Sequence, residues 1–255
     1  MTRLRPEWIR DSDKDINEID RKIKKMTGKT LTALAFQAAG IDEIPRSKLE
    51  KKKVATIRIT SGMGVIRGFS EAICDVAKLM GMETFVTDDD DFAGLSEASW
   101  GGADVVFAAD DDNFVAVNAH GDIINNDIAT AKGYTTALSL IAGGLQGKKV
   151  TLLGVGKVGK IALDLLKEEG ADVFQYDIGP KPFPLSGLVF DATNQGRWLG
   201  LKELSEDITM VALGVPLSLE APAYEAYYDK VLHDPLQTGV AVMIAMALAM
   251  GDGSD

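Results

Sequence analysis

Residues 150–177, VTLLGVGKVGKIALDLLKEEGADVFQYD, hold the densest set of chemically useful residues in the chain. An apolar run, 150–153, leads into Gly154, Gly156 and Gly159. A helix follows, with apolar positions Val158, Ile161, Ala162, Leu165 and Leu166 at helical spacing. In a dinucleotide fingerprint the first glycine permits a tight turn, the second lets the backbone approach a pyrophosphate, and the third lets helix and strand pack closely. Gly154, Val155, Gly156, Lys157, Val158 and Gly159 would then present phosphates to a helix N-terminus, where free N–H groups and the helix dipole favour negative charge. A second strand, 172–176, ends in Asp177, where an acid binds the adenosine ribose hydroxyls. Ile178 and Gly179 follow it in place of an arginine, which points to NAD over NADP; Lys181 is the nearest cation downstream. A helix-capping glycine turn in an ordinary α/β domain is the plain alternative.

Two further loops belong to the cofactor side. Thr193 follows strand 188–192, and the turn containing Gly214 and Pro216 follows strand 209–213, so both face the nicotinamide end. In the first half, polar groups gather at strand C-termini, where open α/β sheets place their ligand crevice. These are Ser61 and the aspartate runs 88–91 and 110–112. Neither run has an EF-hand or other ligand spacing, so no metal site is assigned. Capping and turn roles account equally well for 88–91. Histidine is the residue type suited to proton transfer near neutrality, yet neither His233 nor His120 belongs to a Ser-His-Asp pattern. Asn126 and Asp127, ahead of a helix over 135–145, either cap that helix or face a cleft.

The elements that must position these groups are read from periodicity. Ile16, Ile19, Ile23 and Met26 define an amphipathic helix ending near Gly28, and Leu31, Leu34, Ala35 and Ala38 a second one ending at Gly40. Residues 45–53 read as a basic linker. Strands are expected at 54–60, 83–87 and 104–109, with a hairpin or edge over 114–124. Phe69, Ile73, Val76, Ala77 and Met80 mark a helix that carries Cys74. After Asp177 the segment 178–187 contains three prolines and is too short for a crossover helix, so one helix is missing there. Trp198, Leu201 and Leu204 are candidates to cover the gap. Residues 219–228 read as a helix and 231–232 as a final strand. The run 240–250 is apolar on every face, so it is buried between layers or against another subunit, which leaves room for a homodimer.

The expected fold is therefore α/β. A helical segment (1–53) caps a small α/β substrate domain (54–131), and a linking helix (132–148) leads to a truncated Rossmann-type dinucleotide-binding domain (149–238) with a C-terminal buried helix (239–255). At 255 residues and 46% hydrophobic the chain can bury a full core. A net charge of −11 argues against a nucleic-acid partner and suits a cationic ligand. One cysteine excludes an internal disulfide and fits a reducing cytoplasm. The first 25 residues are too charged for a signal peptide, and the longest apolar run is too short for a membrane span.

The residues also resemble the pyrrolysine synthase family. The resemblance runs through Leu4 with Pro6-Glu7, Thr60-Ser-Gly-Met-Gly64, Gly68-Phe-Ser-Glu71, Ala109-Asp-Asp111, Asn125-Asn126, the glycine loop, Tyr176-Asp177, Ala192-Thr193, and Pro235-Leu236 with Gly239. It implies NAD-dependent oxidation of the terminal amine of an isopeptide joining lysine to methyl-D-ornithine. The imine or aldehyde then cyclises with the nearby amine, losing ammonia and water. The same resemblance implies that Leu4, Ser61, Ser70, Glu71 and Asp111 contact substrate, with Glu71 and Asp111 pairing its ammonium groups and one of them accepting a proton. The segment after Asp177 is shorter than the family pattern, and Gln-Thr-Gly follows Leu236 where the family is richer in glycine. Alternatives are an amino-acid or shikimate-type dehydrogenase, a non-catalytic NAD-binding protein, and a methyltransferase using S-adenosylmethionine.

Overall fold

The computed structural model describes residues 16–66, 68–177 and 183–251. Two helices open the described chain, α1 (Ile16–Thr27) and α2 (Leu31–Ala39). In α1, Ile19 and Ile23 fall on one face and are buried, as their spacing requires. Thr30 caps α2, its side chain accepting the Ala33 N–H at 3.2 Å, and Gly40 closes it at φ 78°. Residues 45–53 are not a plain linker, because Arg46–Leu49 forms a short helix, α3, that buries Leu49.

The first sheet has the order β2-β1-β3-β4-β5, from β1 (Lys53–Arg58), β2 (Glu83–Asp90), β3 (Val105–Ala109), β4 (Phe114–Asn118) and β5 (Ile123–Asn125). The β1 strand pairs in parallel with β2 and β3, while β3, β4 and β5 pair antiparallel, which confirms the expected edge hairpin. Helices α4 (Phe69–Met80) and α5 (Asp91–Trp100) make the crossovers. Cys74 lies on α4, buried beside Thr56. The β2 strand runs three residues beyond its apolar part, so the aspartates expected in a loop belong mostly to the strand end. Arg58 holds them there, its Nε donating to Asp90 Oδ1 at 2.8 Å.

Helix α6 (Asn126–Ala142) carries the chain to the second sheet. It begins nine residues before 135 and six before 132, because Asn125 caps it: the Asn125 Oδ1 accepts the Asp127 N–H at 2.7 Å. Neither Asn126 nor Asp127 is the cap.

The second sheet is parallel throughout, in the order β10-β9-β8-β6-β7. Its strands are β6 (Lys149–Leu153), β7 (Asp172–Tyr176), β8 (Leu188–Asp191), β9 (Thr209–Ala212) and β10 (Val231–Leu232). Helix α7 (Lys157–Glu168) joins β6 to β7. The next strand, β8, lies on the far side of β6, and the described residues between β7 and β8 contain no helix. The strand β7 is thereby left as a sheet edge. Leu204 is buried nearby, but Leu201 is half exposed and covers nothing; the buried neighbour is Leu199, bridged to Leu219. The segment 219–228 is only partly helical, with α8 (Ala221–Ala226) followed by a 3-10 turn, Tyr228–Lys230.

The last helix, α9 (Gln237–Gly251), packs against α6, α2, α4 and β4 within the same chain. Val240, Val242, Met243 and Ile244 are fully buried, each stabilising the fold by roughly 1.5–3 kcal/mol. Its all-round apolar composition is thus explained by burial between layers. No helix among the described residues is long and apolar enough to cross a membrane.

Candidate functional site

A cavity of about 660 Å³ opens between the C-terminal ends of the second sheet and the first turns of α6 and α9. Gly154, Val155, Gly156, Lys157, Val158, Asp177, Thr193 and Gly214 line it, so most of the residues read as a cofactor cradle come together on one wall. The three glycines occupy three different backbone settings. Gly154 has φ 82°, a left-handed turn that disfavours a side chain. A Cβ on Gly159 would stand 2.1 Å from the Gly154 carbonyl oxygen, so only glycine allows this helix-to-loop contact. A Cβ on Gly156 would meet nothing within 4 Å. Gly156 caps α7 without a side-chain hydrogen bond, which leaves the first N–H groups of the helix directed at that open space. This open cradle, with Asp177 exposed at the end of β7, fits a dinucleotide.

The two remaining cofactor loops are tied together by a residue the sequence did not single out. Asp191, 1% exposed, accepts the Thr193 N–H at 2.9 Å and the Thr193 hydroxyl at 2.7 Å through Oδ1, and the Ser218 hydroxyl through Oδ2. The loops touch so closely that a Cβ on Gly214 would overlap the Thr193 carbonyl oxygen. Pro216 does not line the cavity; it packs against Gly196 behind the loop.

The opposite wall includes Asn126 and Asp127 and the Pro235-Leu236 and Gly239 positions named in the sequence, together with residues the sequence did not single out. It consists of Phe114, Asn126, Asp127, Thr130 and Tyr134 from the first half, with Asp234, Pro235, Leu236 and Gly239 leading into α9. Tyr134 is buried and donates its hydroxyl to Asp234 Oδ2 at 3.0 Å, while Thr238 donates its N–H to Oδ1 and its hydroxyl to Oδ2. Burial, then the Asp234 charge, pushes the Tyr134 phenol well above its ordinary range, so this hydroxyl stays a donor. Gly239 lets α9 reach the first turn of α6, since a Cβ there would fall 2.7 Å from Thr130 Oγ1 and 2.9 Å from Asn126 Oδ1.

The residues assigned to substrate lie on the rim of the first sheet. Asp111 accepts the Met63 N–H at 2.9 Å and packs on Gly62, which brings it to the turn that begins at Ser61. Ser70 is buried and Glu71 exposed in the first turn of α4. Among the described residues none of these four lines the cavity. The link between rim and cavity is Phe69, whose ring meets the cavity-lining Phe114 edge-on at 5.0 Å. Leu4 lies outside the described residues, as does Lys181. Asp110 closes its own turn, accepting the N–H groups of Asn113 and Asp112, and those two bonds lower its pKa. His233 donates from Nδ1 to the Ala212 carbonyl at 2.7 Å and does not line the cavity, a structural placement.

Two sheets with a glycine-loop cavity at the C-terminal ends of the second define a Rossmann-like α/β fold. The same fold occurs in the bifunctional methylenetetrahydrofolate dehydrogenase/cyclohydrolase FolD from Campylobacter jejuni, with a TM-score of 0.56 and 14% identity over 89% of this chain and 98% of that one. Residues 8–124 match the family model described as pyrrolysine biosynthesis protein PylD, N-terminal domain. Along nearly its whole length the chain is similar to two proteins named pyrrolysine synthase. The one from Methanosarcina acetivorans is 27% identical over 262 residues, covering 96% of this chain and 98% of its own. The one from Methanosarcina barkeri is 26% identical over 266 residues, covering 97% and 98%.

Proposed function

We propose that this chain is a pyrrolysine-forming, NAD-dependent oxidoreductase. It would oxidise the terminal amine of the lysine–methyl-D-ornithine isopeptide and close the pyrroline ring. The observation that carries the reading is the shared cavity. The glycine loop, Asp177, Thr193 and Gly214 line one wall, and Phe114, Asn126, Asp127, Thr130 and Tyr134 line the other, in a chain whose residues 8–124 match the pyrrolysine biosynthesis family model. Gly154 to Gly159 would hold the pyrophosphate and Asp177 the adenosine ribose. Thr193 and Gly214 would border the nicotinamide, with Pro216 supporting that loop from behind. The bound cofactor supplies the two-electron acceptor, and the protein supplies position and charge.

Ser61, Ser70, Glu71 and Asp111 would hold the substrate from the rim, the two carboxylates pairing with its ammonium groups. Hydrolysis of the imine adds a water that ring closure returns, so beyond the hydride and proton of the oxidation the net loss from the substrate is ammonia. The test is incubation with the isopeptide and NAD, reading NADH by absorbance and the ring product by mass. NADH and a product of the pyrrolysine mass are expected together. NADH formation without that product would leave the dehydrogenase and remove the ring-forming assignment. A thermal shift with NADP or S-adenosylmethionine and none with NAD would replace the cofactor.

A further inference from the structure

The first turn of α6 carries a carboxylate with one oxygen that no donor among the described residues satisfies. Asn125 caps the helix, so Asp127 does not. Asp127 lines the cavity, yet its Oδ1 is shielded from solvent and has no hydrogen-bond partner among the described residues. The neighbouring acceptors are already used. Asn126 Oδ1 receives the Thr130 hydroxyl at 3.1 Å, and Asp234 receives Tyr134 and Thr238. Asp177 lies across the cavity at the end of β7. A carboxylate oxygen withdrawn from water without a donor is unfavourable until something supplies one. The position is also rigid, because α9 presses on this turn at Gly239.

We infer that Asp127 receives the reacting ammonium group of the substrate and takes its proton, in place of Glu71 or Asp111, neither of which lines the cavity. The inference rests on the amine-oxidation reading above. An alkylammonium has no lone pair with which to expel hydride, and it is the dominant form of such an amine at neutral pH. An N–H bond therefore breaks first and its proton passes to an Asp127 oxygen. The freed lone pair then forms the C=N bond as hydride leaves the adjacent carbon for the oxidised nicotinamide. Two electrons leave with the hydride and one proton remains on the carboxylate. Glu71 and Asp111 are left to hold the distal ammonium groups.

The test compares the parent protein with Asp127→Asn and Asp127→Glu. Calorimetry measures isopeptide binding to the NADH-loaded protein, a complex that cannot react forward, and turnover is read with NAD. Asp127→Asn is expected to bind the isopeptide at least tenfold more weakly and to lose about a hundredfold or more in kcat, while NADH affinity stays within twofold. Asp127→Glu, which keeps the charge, is expected to retain at least ten times the turnover of the Asn variant. That comparison decides the matter even if both substitutions lower the melting temperature. Equal turnover in the two variants, parental turnover in Asp127→Asn, or loss of NADH affinity in parallel with turnover would each overturn the assignment. A parent that neither binds nor oxidises the isopeptide would instead overturn the amine-oxidation reading itself.

Discussion

The proposed cofactor wall and the proposed substrate rim are built from different material. On the second sheet the site is mostly backbone: a left-handed turn at Gly154, open space at Gly156 and the uncapped start of α7. On the first sheet it is side chains: Ser61 and Asp111 on two loops and Ser70 and Glu71 in the first turn of α4, held by bonds such as Met63 N–H to Asp111. A backbone site depends on residues that lack side chains and follow one another in sequence. A side-chain site depends on carboxylates that the fold must bring together from distant positions. Changes in the first therefore act by filling backbone space, and changes in the second by removing charge.

Substitutions within the glycine loop give the widest separation between the two regions. Gly159→Val places a Cβ against the Gly154 carbonyl, so overpacking of about 1–3 kcal/mol and loss of measurable NAD binding are expected in urea melts and fluorescence titration. Parental NAD affinity in that variant would show that the loop is not the cradle. On the rim, Glu71→Ala and Asp111→Ala remove ammonium partners, each lowering kcat/KM for the isopeptide by roughly 10- to 150-fold, the range of a charged hydrogen bond. NAD affinity should not move. Glu71 gives the cleaner answer because it is exposed, so its loss should leave stability within about 0.5 kcal/mol. If both variants match the parent, the rim assignment fails.

A smaller effect sharpens the contrast inside the loop itself. Gly156→Ala meets no atom of the protein, so stability should hold while NAD affinity drops by about tenfold, the Cβ occupying space meant for phosphate. An unchanged affinity would move the pyrophosphate elsewhere. The smallest effect is acid loosening of the first half. The pKa of Asp110 is lowered by the N–H groups of Asn113 and Asp112, and that of Asp91 by the hydroxyl and then the N–H of Thr60. A carboxylate with a depressed folded-state pKa stabilises above its unfolded value, about 3.9, and that contribution disappears as pH falls through the folded value. Amide protection at Asp112, Asn113 and Thr60 should therefore fall below the ordinary aspartate range, ahead of protection in the buried strand β6. Simultaneous loss everywhere would mean that these turns carry no separate stability.

Much of the architecture was legible because it is written in local periodicity. The helices over Ile16–Thr27 and Phe69–Met80, and the glycine-strand-helix unit, follow from spacing alone. The errors have local causes. The helix α6 starts early because Asn125 took the capping role that Asn126 and Asp127 also suited. The helix in 45–53 is a single turn, too short for a periodic signal. The split at 219–228 lies where α8 gives way to a 3-10 turn. Asp191 was missed because nothing nearby in sequence reveals that its carboxylate joins Thr193 to Ser218 across 27 residues.

The sequence by itself determined the glycine turn with its flanking strand and helix, the α/β class and the lack of a helix among the described residues between Asp177 and β8, since each depends on neighbouring residues and their backbone preferences. Only the tertiary structure decided what faces that cradle. The start of α6 and the start of α9 are more than 100 residues apart, yet Tyr134 meets Asp234 at 3.0 Å and Gly239 packs on Asn126 and Thr130. Burying the apolar faces of α9 between the layers brings those two helix starts together, and the pattern that drives the burial says nothing about the polar residues carried with it.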